Sequence, residues 1–217
     1  MGEARAWDEG AKAWVERVRG MDVHPHDAAL RGLFPPPEGT TIDAGCGEGR
    51  LTRELRALGY DVVGVDRSAA LVDEARSADP GGRYEVAELE ALPFAQGEAA
   101  FVLCVNVLPH VVDLEPAVKE LARVLQPGGT AVVGLAHPVA LAGSFDEEAG
   151  ELRVRRYFVE EAHGVPLGHR HVFHQHRTLE AYLRSFLEAG LQLDDLREVP
   201  GWDGAAPRYL DLRLTRR

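Results

Sequence analysis

The run Thr41-Ile42-Asp43-Ala44-Gly45-Cys46-Gly47-Glu48-Gly49 places three glycines between an apolar segment and a helical stripe. Glycines at such a turn let the backbone leave a strand sharply and approach a ligand closely. The helix that follows faces that ligand with unpaired N–H groups and a positive dipole. Farther on, Val62-Val63-Gly64-Val65-Asp66 puts an acid at the end of a second apolar segment. An acid about 20 residues after a glycine-rich turn can accept both hydroxyls of a ribose. Together these residues point to a bound adenosine.

Charge narrows the choice of cofactor. A dinucleotide fingerprint has its third glycine where Arg50 stands, and Asp43 would repel a pyrophosphate. A nicotinamide-dependent oxidoreductase is disfavoured on both counts. The same acid suits a ligand with a cationic amino group, which S-adenosylmethionine carries on its methionine end.

A second set of residues suits proton transfer. His110 and His137 follow apolar segments, while His163, His169, His171, His174 and His176 crowd one stretch with Arg170 and Arg177. Imidazole exchanges a proton near neutral pH, so a general base or substrate-orienting group is sought at His176, His174, His137 or His110. The opposing reading is hydrogen-bonded structural or surface histidine. His169/His171 and His174/His176 alternate, so within a strand each pair would share a face. No carboxylate stands at ligand spacing from His171, His174 and His176, and no metal site is expected.

The elements that position these residues alternate between two periodicities. Trp7, Ala11, Trp14 and Val18 mark a first helix, and Phe34-Pro35-Pro36-Pro37-Glu38-Gly39 breaks the chain after it. Strands are expected at Thr40–Ala44, Asp61–Val65, Tyr84–Ala87, Phe101–Val107 and Thr130–Ala136. Helices lie between them: Leu51, Leu55 and Leu58 before Gly59, Leu71, Val72 and Ala75 after the cap Ser68, and Val118, Leu121, Ala122 and Leu125 after the cap Asp113. Pro127-Gly128-Gly129 stops the last of these. A long irregular stretch then precedes a helix capped by Thr178 and closed by Gly190, and strands near Gln192–Glu198 and Arg208–Leu214 complete the chain. Alternating βα units of this length imply a doubly wound α/β fold, a parallel sheet with helices on both faces.

Composition sets outer bounds. With 217 residues the chain builds one sizeable core. The formal charge of -11, without a basic stripe, excludes a nucleic-acid partner. Two cysteines, Cys46 and Cys104, at no scaffold spacing fit a reducing compartment. No apolar run reaches membrane-spanning length and no apolar leader opens the chain, so a cytoplasmic protein without a membrane partner is expected.

Four motifs carry a family resemblance. Asp43 to Gly49 resembles the first motif of class I S-adenosylmethionine-dependent methyltransferases, Val65-Asp66-Arg67-Ser68 the second, and Ala87 to Phe94 the third. Leu121 to Gly129 resembles the helix and turn before the family's fifth strand. The resemblance covers about residues 40 to 137, in the family's order, and is closest to small bacterial proteins with a type 11 methyltransferase domain. It implies a Rossmann-like seven-stranded sheet whose last strand runs antiparallel. It further implies that Asp43 and the backbone of Gly45 and Gly47 hold the methionine moiety, with Ala44 and Cys46 of the same loop also at the cofactor. Asp66 would bind the ribose, Arg67 flank the adenine, Glu88 and the Leu89 backbone read the adenine edge, and the backbone near Asn106 take the amino group. Glu88 stands where the family commonly has Asp.

The expected organisation is a single domain: a helical cap at 1–38, a cofactor-binding core at 39–137, an acceptor-side insertion at 138–177, and a closing helix with two strands at 178–217. The expected reaction moves a methyl group from S-adenosylmethionine, leaving S-adenosylhomocysteine, to O, N or C of a small-molecule acceptor. A monomer or homodimer is expected. The alternative is a protein that keeps the cofactor site without catalysis.

Overall fold

A computed structural model describes residues 2–20, 26–146, 148–201, 204 and 206–217. Strand β1 (Thr40–Ala44) runs parallel to β2 (Asp61–Asp66) on one side and to β4 (Ala99–Val105) on the other, and β3 (Arg83–Val86) extends the sheet beyond β2. Beyond β4 lies β5 (Leu125–Ala136), also parallel. The last strand, β11 (Pro207–Arg216), inserts antiparallel between β5 and β10 (Leu191–Pro200). The order is β10-β11-β5-β4-β1-β2-β3, a seven-stranded sheet that is parallel except for β11.

Strand β4 shows why its sequence is almost wholly apolar. Successive side chains point to opposite faces, and both faces are covered. Phe101 and Leu103 pack with Leu30 of α2 (Asp27–Arg31) and Leu55 of α3 (Arg50–Ala57). Val102 and Cys104 meet Val118 and Leu121 of α5 (Leu114–Val124), in a core that also takes Tyr182 and Phe186 of α7 (Leu179–Glu188). The strand ends two residues earlier than its apolar run, because Asn106 turns into the left-handed region at φ 57°.

The caps are side-chain bonds at two of three expected places. Ser68 Oγ accepts from the Leu71 N–H at the start of α4 (Ala69–Ala78), and Thr178 Oγ1 accepts from Ala181 N–H. Asp113 occupies the cap position of α5, but its side chain makes no cap bond. Leu58 is exposed, since α3 ends one residue before it.

The stretch between β5 and α7 is more ordered than its composition suggests. After the single turn α6 (Pro138–Leu141), β6 (Gly143–Asp146) pairs with β7 (Glu151–Val154), and β8 (Ala162–Leu167) pairs with β9 (Arg170–Gln175). Gly168, at φ 60°, makes the two-residue turn between β8 and β9 possible. Among the described residues no helix is long and apolar enough to cross a membrane.

Candidate active site

The carboxyl ends of β1, β2 and β4 open onto one cleft, the position where open α/β sheets bind ligands. The glycine-rich loop forms its floor. Gly45 and Cys46 donate their N–H groups to Val65 O at 2.7 and 2.9 Å, which locks the loop onto β2. Gly45 sits at φ 80°, and a Cβ there would lie 2.1 Å from Val107 Cγ2. Gly47, at φ 55°, has only Trp14 within reach, with Nε1 3.5 Å from where its Cβ would be. A side chain at Gly47 would therefore stand in the cleft itself.

Asp66 joins this floor to the second strand. Its Oδ2 accepts from Gly47 N–H and its Oδ1 from Ser68 N–H, both at 2.9 Å. Burial pushes its carboxyl up, and those two backbone bonds pull it back down. Arg67 and Glu88 form an ion pair at 3.0 Å on the same wall. Leu71, Leu89, Leu92 and Val105 supply an apolar slot beside them, and Asn106 completes the wall with its N–H bonded to Gly134 O at 2.7 Å.

Helix α1 (Gly2–Arg19) lies over this cleft. Asp8 Oδ1 accepts from Ser68 Oγ at 2.7 Å and from Ala70 N–H at 3.2 Å, tying the helix beside Asp66. Glu9 pairs with Arg170, and Arg17 donates to Pro166 O at 3.3 Å, so the β8–β9 hairpin holds the other side. Trp7 and Trp14, edge to face at 5.5 Å, both reach the cleft. The sequence leads one to expect a helical cap at 1–38, with these tryptophans only as part of the apolar stripe of its helix. Their spacing was the available signal, but it does not say that the packed face is also a ligand wall.

Three of the ten residues expected at the cofactor lie off the cleft. Ala44 is fully buried in the sheet core. Cys46 turns its side chain toward Val72, Ala75 and Tyr84, where burial pushes the thiol up. Asp43 corrects the charge argument made from sequence. It points from β1 toward α3, is 2% exposed, and accepts from Thr52 Oγ1 at 2.6 Å. Burial, opposed by the Thr52 bond and aided by the nearby Asp66, raises its carboxyl to about 6. Its role is to hold the loop from behind. Gly45, Gly47, Asp66, Arg67, Glu88, Leu89 and Asn106 do line the cleft.

The four candidate histidines divide in two. His137 caps α6: its Nδ1 accepts from Val139 N–H at 3.2 Å, which leaves Nε2–H to donate to Glu198 Oε1 at 3.1 Å. Burial holds its pKa below the usual value against the pull of Glu198. Both ring nitrogens are bonded and the ring is buried. His176 is likewise buried, 2% exposed, with Nε2–H donating to Tyr157 O at 2.8 Å, away from the cleft.

His110 and His174 come together beside the cleft. Strand alternation turns Val172 and His174 inward and His171 and Phe173 outward. His110 sits in the 3₁₀ turn Leu108–His110 that follows β4. Its Nδ1 lies 3.0 Å from Phe173 O, and its Nε2 lies 3.0 Å from His174 Nε2. A carbonyl oxygen only accepts, so His110 carries its proton on Nδ1 and presents a lone pair at Nε2. His174 must then donate from Nε2, which leaves its Nδ1 lone pair as the basic atom. Burial, and secondarily the His174 charge, pushes His110 down to about 3, and burial lowers His174 also. Arg177, which the sequence places only beside the histidine cluster, fixes the turn beneath them by donating to the carbonyls of Leu108, Val111 and Val112 at 3.2, 2.6 and 2.7 Å.

Beyond the pair lies a second chamber, which shares Trp7, Trp14, Asn106 and His110 with the cleft. Among the described residues no cluster of three His, Cys, Asp or Glu side chains is placed to hold a metal ion.

Known proteins match this arrangement. Residues 42–133 match the methyltransferase domain family. An S-adenosylmethionine dependent methyltransferase from Mesorhizobium loti superposes with a TM-score of 0.79, covering 91% of this chain and 100% of that one at 26% identity. A Listeria monocytogenes protein shares the fold at a TM-score of 0.75 and 24% identity, over 88% of this chain and 97% of that one. By sequence, the malonyl-[acyl-carrier protein] O-methyltransferase of Salmonella typhimurium is 31% identical over 119 residues, 55% of this chain and 47% of that protein. The chain spans about half the length of the relatives it matches by sequence. Its sheet order, cleft and domain match are those of the class I S-adenosylmethionine-dependent methyltransferases, whose cofactor is S-adenosylmethionine.

Proposed function

We propose that the protein transfers the methyl group of S-adenosylmethionine to O, N or C of a small molecule seated in the second chamber. The observation that carries this reading is the continuity of the two spaces at His110, with the His174 imidazole bonded to it and lining the second. The cleft fits the cofactor: an acid at the end of β2, an apolar slot for a base, and a loop with no Cβ at Gly47. Asp66 would take the ribose hydroxyls, Leu89 and its neighbours the adenine, and the loop and Asn106 the methionine end. When bound, the cofactor supplies a sulfonium methyl, the C–S electron pair returning to sulfur as the acceptor's lone pair forms the new bond.

The chain's own part is positioning and proton removal. Trp7 and Trp14 exclude water over the junction. Nδ1 of His174 takes the acceptor's proton, which favours O–H or N–H acceptors, and His110 fixes the tautomer that leaves this atom basic.

The test follows radiolabelled methyl from S-adenosylmethionine into pools of hydroxylated and amino small molecules. The wild-type chain is expected to label an acceptor, and His174→Gln to do so about 100-fold more slowly. Equal rates would remove the base. Tight cofactor binding with no labelled acceptor in any pool would favour the non-catalytic reading.

A further inference from the structure

The second chamber brings three aromatic rings together with the His110–His174 pair. Trp7 and Trp14 of α1 stand edge to face there, with ring centroids 5.5 Å apart. Tyr209 of β11, paired with Ala136 of β5, adds the third ring. Val165, Leu167 and Val172 of the β8–β9 hairpin supply an aliphatic wall. Arg17 also lines the space, donating to Pro166 O at 3.3 Å, as does Arg208, whose guanidinium stands 5.9 Å from the Tyr209 ring centroid.

We propose that the acceptor is a phenol, a flat aromatic ring seated among these walls and methylated on its hydroxyl oxygen. The proposal rests on the reading of the adjoining cleft as the donor site. Aromatic walls favour a flat ring, which stacks or meets them edge to face and gains beyond its buried area. A saturated ring of the same size fills the space without that gain. The base makes the same choice. Burial, and secondarily the His163 charge, holds the His174 imidazole below its usual value. A phenol O–H ionises near about 10, and an aliphatic alcohol near water's value of about 16. A weakened imidazole therefore takes a proton from the first far more readily than from the second. An aliphatic ammonium ion is as acidic as a phenol, but it would carry a full charge among apolar side chains. In the step itself the phenol proton passes to Nδ1 of His174, and an oxygen lone pair forms the O–CH3 bond. The C–S pair returns to sulfur, and His174 later releases its proton to solvent. Its Nε2–H bond to His110 is kept throughout.

The test gives the whole chain methyl-labelled S-adenosylmethionine with phenol, 2-naphthol or 9-phenanthrol, and with the saturated alcohols cyclohexanol and trans-2-decalol. At least one phenol is expected to be labelled on oxygen, with kcat/KM at least about 100-fold above that of the saturated alcohol. Val165→Trp, which fills the chamber from the hairpin, should cut that rate at least about 10-fold with S-adenosylhomocysteine affinity unchanged. Ala140→Leu repeats the measurement from α6 should Val165→Trp melt early. Label on no phenol, label on a ring carbon, equal rates for naphthol and decalol, or a phenol rate that ignores both chamber substitutions would overturn the proposal. Methyl transfer to other acceptors but to none of the phenols would leave the methyl-transfer reading standing. Failure of S-adenosylmethionine to bind, with 2-naphthol still bound and displaced by Val165→Trp, would instead sink the donor-site reading and keep the chamber as a site for flat rings.

Discussion

His110 and His174 meet Nε2 to Nε2 at 3.0 Å, although they lie 64 residues apart in the chain. The contact needs a lone pair on one ring and a proton on the other, so it survives only while at least one imidazole is neutral. This has a consequence for stability. An unfolded histidine titrates near 6.5, whereas His110 in the fold is pushed down to about 3. Below the unfolded value, the unfolded chain binds a proton that the folded chain refuses. Stability from this group is therefore lost as pH falls, by about 1.4 kcal/mol per pH unit. Asp43, raised to about 6, acts in the opposite sense and cancels when two variants sharing it are compared. Urea unfolding of wild type and His110→Asn should show the variant's deficit shrinking by about 2 kcal/mol from about pH 7 to about pH 5. A deficit that does not change with pH would mean His110 is not held neutral.

Gly45 is set by conformation and by space. An Ala at Gly45 would hold a residue at φ 80° and drive its Cβ to 2.1 Å from Val107 Cγ2. Gly45→Ala should cost about 2 kcal/mol or more and abolish cofactor binding. Adding Val107→Ala should restore the steric share but not the strain of the left-handed backbone, about 1 kcal/mol. Full recovery in the double variant, read by thermal melting, would show that the backbone conformation is not demanding.

His176 carried the leading expectation for a catalytic base, and the structure makes it a buried strut under Tyr157. His176→Ala should lower stability by about 1–3 kcal/mol while leaving the pH profile of methyl transfer unchanged. A shifted profile at unchanged stability would return it to the chemistry.

The contrast between these histidines marks what was legible in the sequence. The donor half is local: Gly45, Gly47 and Asp66 belong to one strand–turn–helix–strand unit, so their spacing carries their meaning. The acceptor half is built across distance. Nothing in the order of residues says that β9 ends at Gln175, and that boundary leaves His174 on the strand and His176 beyond it. Asp43 shows a further limit, since the alternation of β1 side chains sends its carboxylate behind the loop to Thr52, where no charge argument would place it.

Arg177 supports the turn that carries His110 without touching its ring. Arg177→Met leaves the carbonyls of Leu108, Val111 and Val112 without their donor, at about 3 kcal/mol, and loosens the turn that carries His110. Turnover should fall more than cofactor affinity, and Arg177→Lys should recover part of both stability and rate. Unchanged melting of the Met variant would mean that water replaces the guanidinium without loss.

The most direct test is calorimetric titration of the purified chain with S-adenosylmethionine and S-adenosylhomocysteine, with NADH as control, in wild type and Asp66→Ala. Micromolar-range binding of the first two is expected, and none of NADH. Asp66→Ala should weaken binding by a few kcal/mol through the lost charge-assisted hydrogen bonds. Absence of S-adenosylmethionine binding, or an Asp66→Ala variant that binds as tightly as wild type, would contradict the donor-site reading.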